Sequence, residues 1–322
     1  MSILPALRIC ACLCLLGLTG CAALAPQSTA LREQHPQGLP ERAELTGVPF
    51  FPQEEHYCGP AALAMVLNAG GVAVSEQELT EQVYLPGRKG SLQIEMLAAA
   101  RRNGMVAYPL APRLEDVLRE VAAGNPVVVL ENYGFSWYPL WHYAVVVGYD
   151  LGALEIIRRS GTRPRQIQPL ALFEYVWKQE HYWAMVALPP QRLPATANEG
   201  DFLAAVVALE QSDQPRLARD GYSTLLARWP HNLVARIGYG NTAYALGDLE
   251  QAEAAFRAAA RDHPDSAVAF NNLAQTLARR GDFPEALAAA RKAVALGGPF
   301  APTARATLDE IERKAPGPPP SR

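Results

Sequence analysis

The spacing of apolar positions changes twice along this chain. From Gly59 to Ala69 nearly every residue is apolar, which predicts a buried helix over about 59–69, closed by Gly70-Gly71. Ser75 with Glu78 three residues on is a capping box opening a second helix. A loop at Pro86–Gly90 follows. Ser91 then opens a third helix to about Arg102, ended by Asn103-Gly104. Val106–Leu110 is a short strand, and Leu114, Val117, Leu118 and Val121 share one face of a helix over 114–123. Beyond it the pattern turns to β-branched runs: strands at Pro126–Leu130, His142–Tyr149, Leu154–Arg159 and Tyr182–Leu188, with a helix at Leu170–Gln179. Helices first and an antiparallel sheet second make an α+β domain over 48–190.

From about 199 the pattern repeats every 34 residues, in copies at 199–232, 233–266 and 267–300. The second copy carries Gly240, Gly247-Asp248, Ala252, Phe256, Ala259 and Pro264; the third carries Ala274, Gly281-Asp282, Ala286, Ala290 and Ala293. Small residues let paired helices approach, an aromatic fills the space between them, and proline or glycine closes the unit. This period resembles that of tetratricopeptide repeats and implies an all-α solenoid over 199–315, residues 301–315 capping it and 316–322 forming a disordered tail. Such an array is expected to dock a peptide or protein partner in its concave groove.

The N-terminus changes the cysteine count. Arg8 precedes an apolar run from Ile9 to Leu18, followed by Thr19-Gly20-Cys21. The run is too short for a mature span and has the layout of a secretory signal. Leu18–Cys21 resembles a bacterial lipobox, which implies cleavage of residues 1–20, acylation of Cys21 and attachment to a membrane. Ala22, in a Gram-negative host, resembles an outer-membrane sorting signal, so the expected location is the cell envelope, facing the periplasm. Residues 21–47, rich in Pro, Gln and Glu, are expected to be a tether. Of the five cysteines, Cys10, Cys12 and Cys14 leave with the signal and Cys21 takes lipid. Cys58 remains as the single free thiol, so an internal disulfide is excluded. A net charge of −3 gives no reason to expect nucleic acid, and the pattern calls for no cofactor or metal.

Cys58 stands at or just before the first predicted helix, with Pro60 in the first turn. The helix N-terminus is expected to lower its pKa and favour thiolate. Nucleophilic catalysis also needs a base and oxyanion donors. Gln53, five residues upstream, offers a side-chain amide, and the Cys58 backbone N–H offers a second donor. Of six histidines, His35 lies in the tether, His231 and His263 at repeat turns, His56 too near Cys58 in sequence, and His181 at an exposed terminus. His142, opening an apolar strand after an aromatic loop (Tyr133–Trp141), is the expected base.

Gln53…Cys58-Gly-Pro-Ala-Ala-Leu together with His142-Tyr-Ala-Val-Val-Val-Gly-Tyr149 resembles the bacteriocin-processing, double-glycine peptidase family, over about 48–188. The resemblance implies a papain-like fold, Cys–His peptidase activity and Gln53 at the oxyanion hole. It also implies an acid on the strand after the histidine, and none is present. Hairpin geometry puts Arg159, Ser160, Gly161 and Thr162 opposite His142. Asp150, about 27 Å along the strand, is too distant. Ser160 therefore orients the imidazole, or the site is a dyad, or activity is lost; Asn132 is a further candidate. A cysteine peptidase, an inactive peptidase-like scaffold and a cell-wall amide hydrolase all remain open. The aromatic loop either lines a cleft or packs on the sheet.

Overall fold

The computed structural model describes residues 24–52 and 56–315. The signal segment, Cys21, Gln53 and the tail at 316–322 lie outside the described residues. The chain divides into two compact units: one runs to Pro189 and adds Pro194–Asn198, the other comprises Pro190–Leu193 and the residues from Glu199 onward.

The expected tether is the first difference. Residues 26–33 form helix α1 (Pro26–Glu33), and residues 42–44 form strand β1 (Arg42–Glu44). Composition concealed both, because their stability comes from distant partners. The amides of Gln27 and Ser28, at the start of α1, donate to the Glu174 carboxylate at 2.9 and 2.6 Å. A carboxylate against the unsatisfied amides of a helix start is favourable on both charge and hydrogen-bonding grounds.

Helix α2 (Cys58–Ala69) is buried from Gly59 to Leu67, as a helix apolar all round must be. Helix α3 (Glu76–Val83) opens on the expected capping box of Ser75 and Glu78. Helix α4 (Gln93–Arg102) starts two residues later than expected, with Leu92 rather than Ser91 at its N-cap and no side-chain cap. Strand β2 (Val106–Pro109) and helix α5 (Leu114–Ala122) follow. Strands β3 (Val127–Asn132), β4 (Trp141–Asp150), β5 (Glu155–Ser160) and β6 (Arg163–Pro169) form a meander, completed by helix α6 (Leu170–Lys178) and strand β7 (Ala184–Leu188). Strand β6 escaped the sequence reading because its residues, Arg163-Pro-Arg-Gln-Ile-Gln-Pro169, are mostly polar and exposed at the sheet edge.

The sheet order is β2-β7-β3-β4-β5-β6, with every pair antiparallel; β1 pairs with β4 where β3 has ended. Side chains alternate between faces. Val128, Leu130, Tyr143, Val145 and Val147 share one core with α2. Helix α5 packs on β4 and β3, and α6 on β3.

The second unit consists of paired helices: α7 (Glu199–Glu210) and α8 (Pro215–Arg228), α9 (Leu233–Ala245) and α10 (Leu249–Asp262), α11 (Ala267–Arg280) and α12 (Phe283–Leu296), then α13 (Ala301–Lys314). Asn232, Asp248, Ser266 and Asp282 each cap a helix through the side-chain oxygen, satisfying an amide that the helix leaves free. A Cβ on Gly240 would lie 2.5 Å from the ring of Phe256, so the repeat's glycine and aromatic are one packing device. Among the described residues no helix is long and apolar enough to cross a membrane.

Candidate active site

Cys58 is the first residue of α2, and the first helical bond runs from Ala61 N–H to Tyr57 carbonyl at 3.1 Å. The amides of Cys58 and Gly59 therefore have no helical acceptor, and Pro60 has no N–H to lose. Gly59 is required sterically: a Cβ there would meet Ser91 Oγ at 2.5 Å. The sulfur is half-buried, and the backbone N–H groups of Tyr143, Gly59 and Cys58 itself lie within its reach. Tyr143 follows His142, so the thiol sits against the start of β4.

His142 is half-buried and pairs in register with Glu131 of β3. Its Nε2 lies 2.8 Å from Ser160 Oγ. That contact follows from sheet parity. A bulge between Val146 and Gly148 shifts the β4–β5 register, and the last paired residues are Val145 and Arg159. One step on, Ser160 stands beside Ala144, on the face His142 occupies and one diagonal away, within reach of a ring. With Nε2 committed to Ser160, Nδ1 is the remaining ring nitrogen.

Asn132 plays no part in orienting the ring. Its amide donates to Glu180 at 3.1 Å, and its carbonyl accepts from Gly134 and Leu140 at 2.8 and 2.9 Å, pinning the aromatic loop. Asp150 pairs with Arg42 at 2.7 Å. His181 is exposed. His56, set aside by sequence, lines the same cleft as Cys58 and His142.

The expected thiolate does not follow. Burial pushes the Cys58 thiol above its ordinary value, outweighing the three backbone donors that favour thiolate. Burial, and secondarily the Arg158 guanidinium, push His142 down to about 4. The helix terminus acts in the expected direction, but desolvation is larger. The resting pair at neutral pH is thiol and neutral imidazole.

Two residues beside the ring carried no sequence signal. Glu131 and Arg158 are fully buried and ion-paired, the guanidinium bonded to both carboxylate oxygens across β4. Tyr133 Oη donates to the same carboxylate at 3.1 Å. A charged residue inside a β-branched run usually marks an exposed position; here two such residues satisfy each other. The acid absent from β5 thus has a counterpart on β3, the other neighbour of β4, but it is engaged by arginine rather than by the histidine.

Cys58 and His142 line a cleft of about 610 Å³ together with Arg88, Lys89, Ser91, Leu140, Trp141 and Glu180. Both expected uses of the aromatic loop prove partial: its base lines the cleft, while Phe135, Trp137 and Tyr138 are exposed beyond it.

Comparison with known proteins gives the following. Residues 45–185 match the Peptidase_C39 like family, and residues 198–270 and 239–302 match two tetratricopeptide repeat families. No curated protein matches the chain significantly. Among solved structures, a C39-like peptidase candidate from Bacillus anthracis is 20% identical, covering 46% of this chain and 98% of its own at a TM-score of 0.39. A thermophilic TPR protein of Thermus thermophilus is 23% identical over 36% of this chain and 64% of its own, at a TM-score of 0.33. The Yersinia enterocolitica type III secretion translocator chaperone SycD is 18% identical over 36% of this chain and 92% of its own, at a TM-score of 0.34. This chain carries a C39-like peptidase-family domain followed by tetratricopeptide repeats.

Proposed function

We propose that the protein is a lipid-anchored cysteine peptidase of the cell envelope, whose repeats dock a peptide or protein partner. The observation that carries the catalytic reading is the contact of His142 Nε2 with Ser160 Oγ in the cleft that His142 shares with Cys58. In this reading Cys58 Sγ attacks the carbonyl carbon of a peptide bond as its proton passes to His142 Nδ1. The oxyanion is met by the Cys58 N–H, with the Gln53 side chain as a second donor. His142 then delivers the proton to the departing amine, leaving a thioester. Water, deprotonated by His142, releases the carboxylic acid and restores the thiol. Because the pair rests neutral, the proton moves during attack rather than before it, and Ser160 holds the tautomer with Nε2–H facing its hydroxyl.

Burial and the nearby Arg158 guanidinium disfavour imidazolium, and the Ser160 hydroxyl stabilises it less than a carboxylate would, which favours a second reading, a peptidase-like scaffold with little turnover. Labelling separates the two. A peptidyl electrophile should modify Cys58 far faster than a small model thiol, and His142→Ala should abolish the difference. Labelling at the model-thiol rate, unchanged by His142→Ala, would sink the peptidase reading. The anchor is supported only by the Leu18–Cys21 pattern; mass spectrometry of the membrane-extracted protein, finding an unmodified Cys21, would remove it. The docking role of the repeats is tested by crosslinking the full chain in cells with a photoreactive residue on α9 or α11.

A further inference from the structure

The tip of the aromatic loop is a surface that catalysis does not use. Phe135, Trp137 and Tyr138 are 64%, 80% and 65% exposed, and none of them lines the cleft. The tip is nonetheless ordered for display. Phe135 and Trp137 stack with centroids 5.2 Å apart. Phe135 and Tyr138 exchange backbone bonds of 3.0 Å in both directions. A Cβ on Gly134 would strike the Tyr138 carbonyl at 2.2 Å, so the loop closes as tightly as its backbone allows.

The tip also lies at a particular end of its unit. The start of α1 is bonded to Glu174, and Tyr182 Oη reaches the same carboxylate at 3.5 Å. Two residues before Tyr182, Glu180 accepts from Asn132 and from Trp141 Nε1 at 3.1 and 2.9 Å. The N-terminal segment and the loop are therefore tied to carboxylates six residues apart, one in the middle of α6 and one just past its C-terminal end. Ala25 is already buried. Only four peptide steps separate it from Cys21, a reach of about 14 Å. Arg88 and Lys89, which line the same cleft, have no ion pair among the described residues, and they suit anionic headgroups.

We infer that the Phe135–Tyr138 tip seats in the headgroup zone of the bilayer holding Cys21, so that the catalytic cleft opens at the membrane surface. Exposed aromatic rings with polar edges partition to that zone, and a second contact adds to the hold of the acyl chains. The inference rests on the lipid-anchor reading. It implies that the substrate is a polypeptide lying at or emerging from the membrane.

The test uses the full mature protein on liposomes containing brominated phosphatidylglycerol, which quenches tryptophan by contact. Trp137 is one of five tryptophans, so quenching of about a fifth of the emission is expected, and Trp137→Phe should remove it. Equal quenching in Trp137→Phe, or none in the wild type, overturns the proposal. So does a Trp137 signal that follows protein concentration and ignores lipid, which would assign the tip to a second copy. The anchor is read separately, by whether the wild type and not Cys21→Ala pellets with plain vesicles. If both pellet, the anchor reading fails, while quenching in the Cys21→Ala pellet still decides the tip.

Discussion

Replacing Ser160 with aspartate should make His142 a stronger base. Ser160 Oγ lies 2.8 Å from His142 Nε2, and the imidazole pKa is held down to about 4. A carboxylate centred about 4 Å from the ring, at an effective dielectric of about 20, attracts imidazolium by ~4 kcal/mol. One pKa unit corresponds to ~1.4 kcal/mol, so the gross upward shift is roughly 3 units. Ser160 is buried, and desolvating the new carboxylate offsets part of this, leaving a net rise of about 2 units. His142 still lies below Cys58, whose thiol burial holds high, so the pair rests neutral but the imidazole takes the thiol proton more readily during attack. The assay is the rate of Cys58 alkylation by iodoacetamide between pH 5 and 9. The wild type should show slow alkylation that climbs only in the alkaline range, with no plateau at low pH. Ser160→Asp should develop a plateau near pH 6, with a rate raised about tenfold, equivalent to ~1.4 kcal/mol. Ser160→Ala should show no plateau. A Ser160→Asp profile that overlays the wild type, or a wild-type plateau at pH 5, would refute the electrostatic account of the site.

Four further outcomes follow from the same structure. Ser160→Ala leaves the His142 ring N–H without its acceptor, which costs about 1–3 kcal/mol, so peptidyl-electrophile labelling at pH 7.5 should slow at least several-fold. His142 folds with a pKa of about 4 against 6.5 when unfolded, so the native state binds fewer protons between those values. Its contribution to stability is full above pH 6.5 and lost as pH falls to 4, a change of about 3 kcal/mol; urea melts at pH 7 and 4.5 should differ less in His142→Ala. Arg158→Met strands the buried Glu131 carboxylate and should cost about 3–5 kcal/mol, while adding Glu131→Leu recovers most of it, as read by thermal melts. Gly240→Ala drives a methyl into Phe256 and should destabilise the repeats by about 1–3 kcal/mol, visible as an earlier unfolding transition of that unit.

The candidate catalytic residues were legible because their types are rare. Cys58 is the single cysteine beyond the N-terminal 21 residues, and His142 the one histidine opening an apolar strand. Ser160 was among four candidates, and strand parity selects it once the bulge at Val146 is known. The repeats were legible from spacing alone, since small residues recur at a 34-residue period wherever paired helices approach. What escaped the sequence was set by partners far along the chain. Glu131 and Arg158 look like misplaced charges until the sheet brings them together. The protonation states turned on burial depth, which no local pattern records. Helix α1 and strand β1 have the composition of a linker, and only Glu174 and β4 make them structure.

That docking of α1 has a kinetic consequence. The Ser28 amide and the Glu174 carboxylate are 146 residues apart in sequence, and β1 waits for Asp150 to supply its partner edge. Closing such long loops is slow, because the chain entropy is lost before the contacts form. The N-terminal segment is thus made first and locked last, after the sheet has assembled. It should also be the first to open, so limited proteolysis between Gln34 and Glu41 should precede any cut within α2. A folding intermediate with a finished cleft and a loose N-terminus would leave the residues after Cys21 accessible until the rest of the domain is complete.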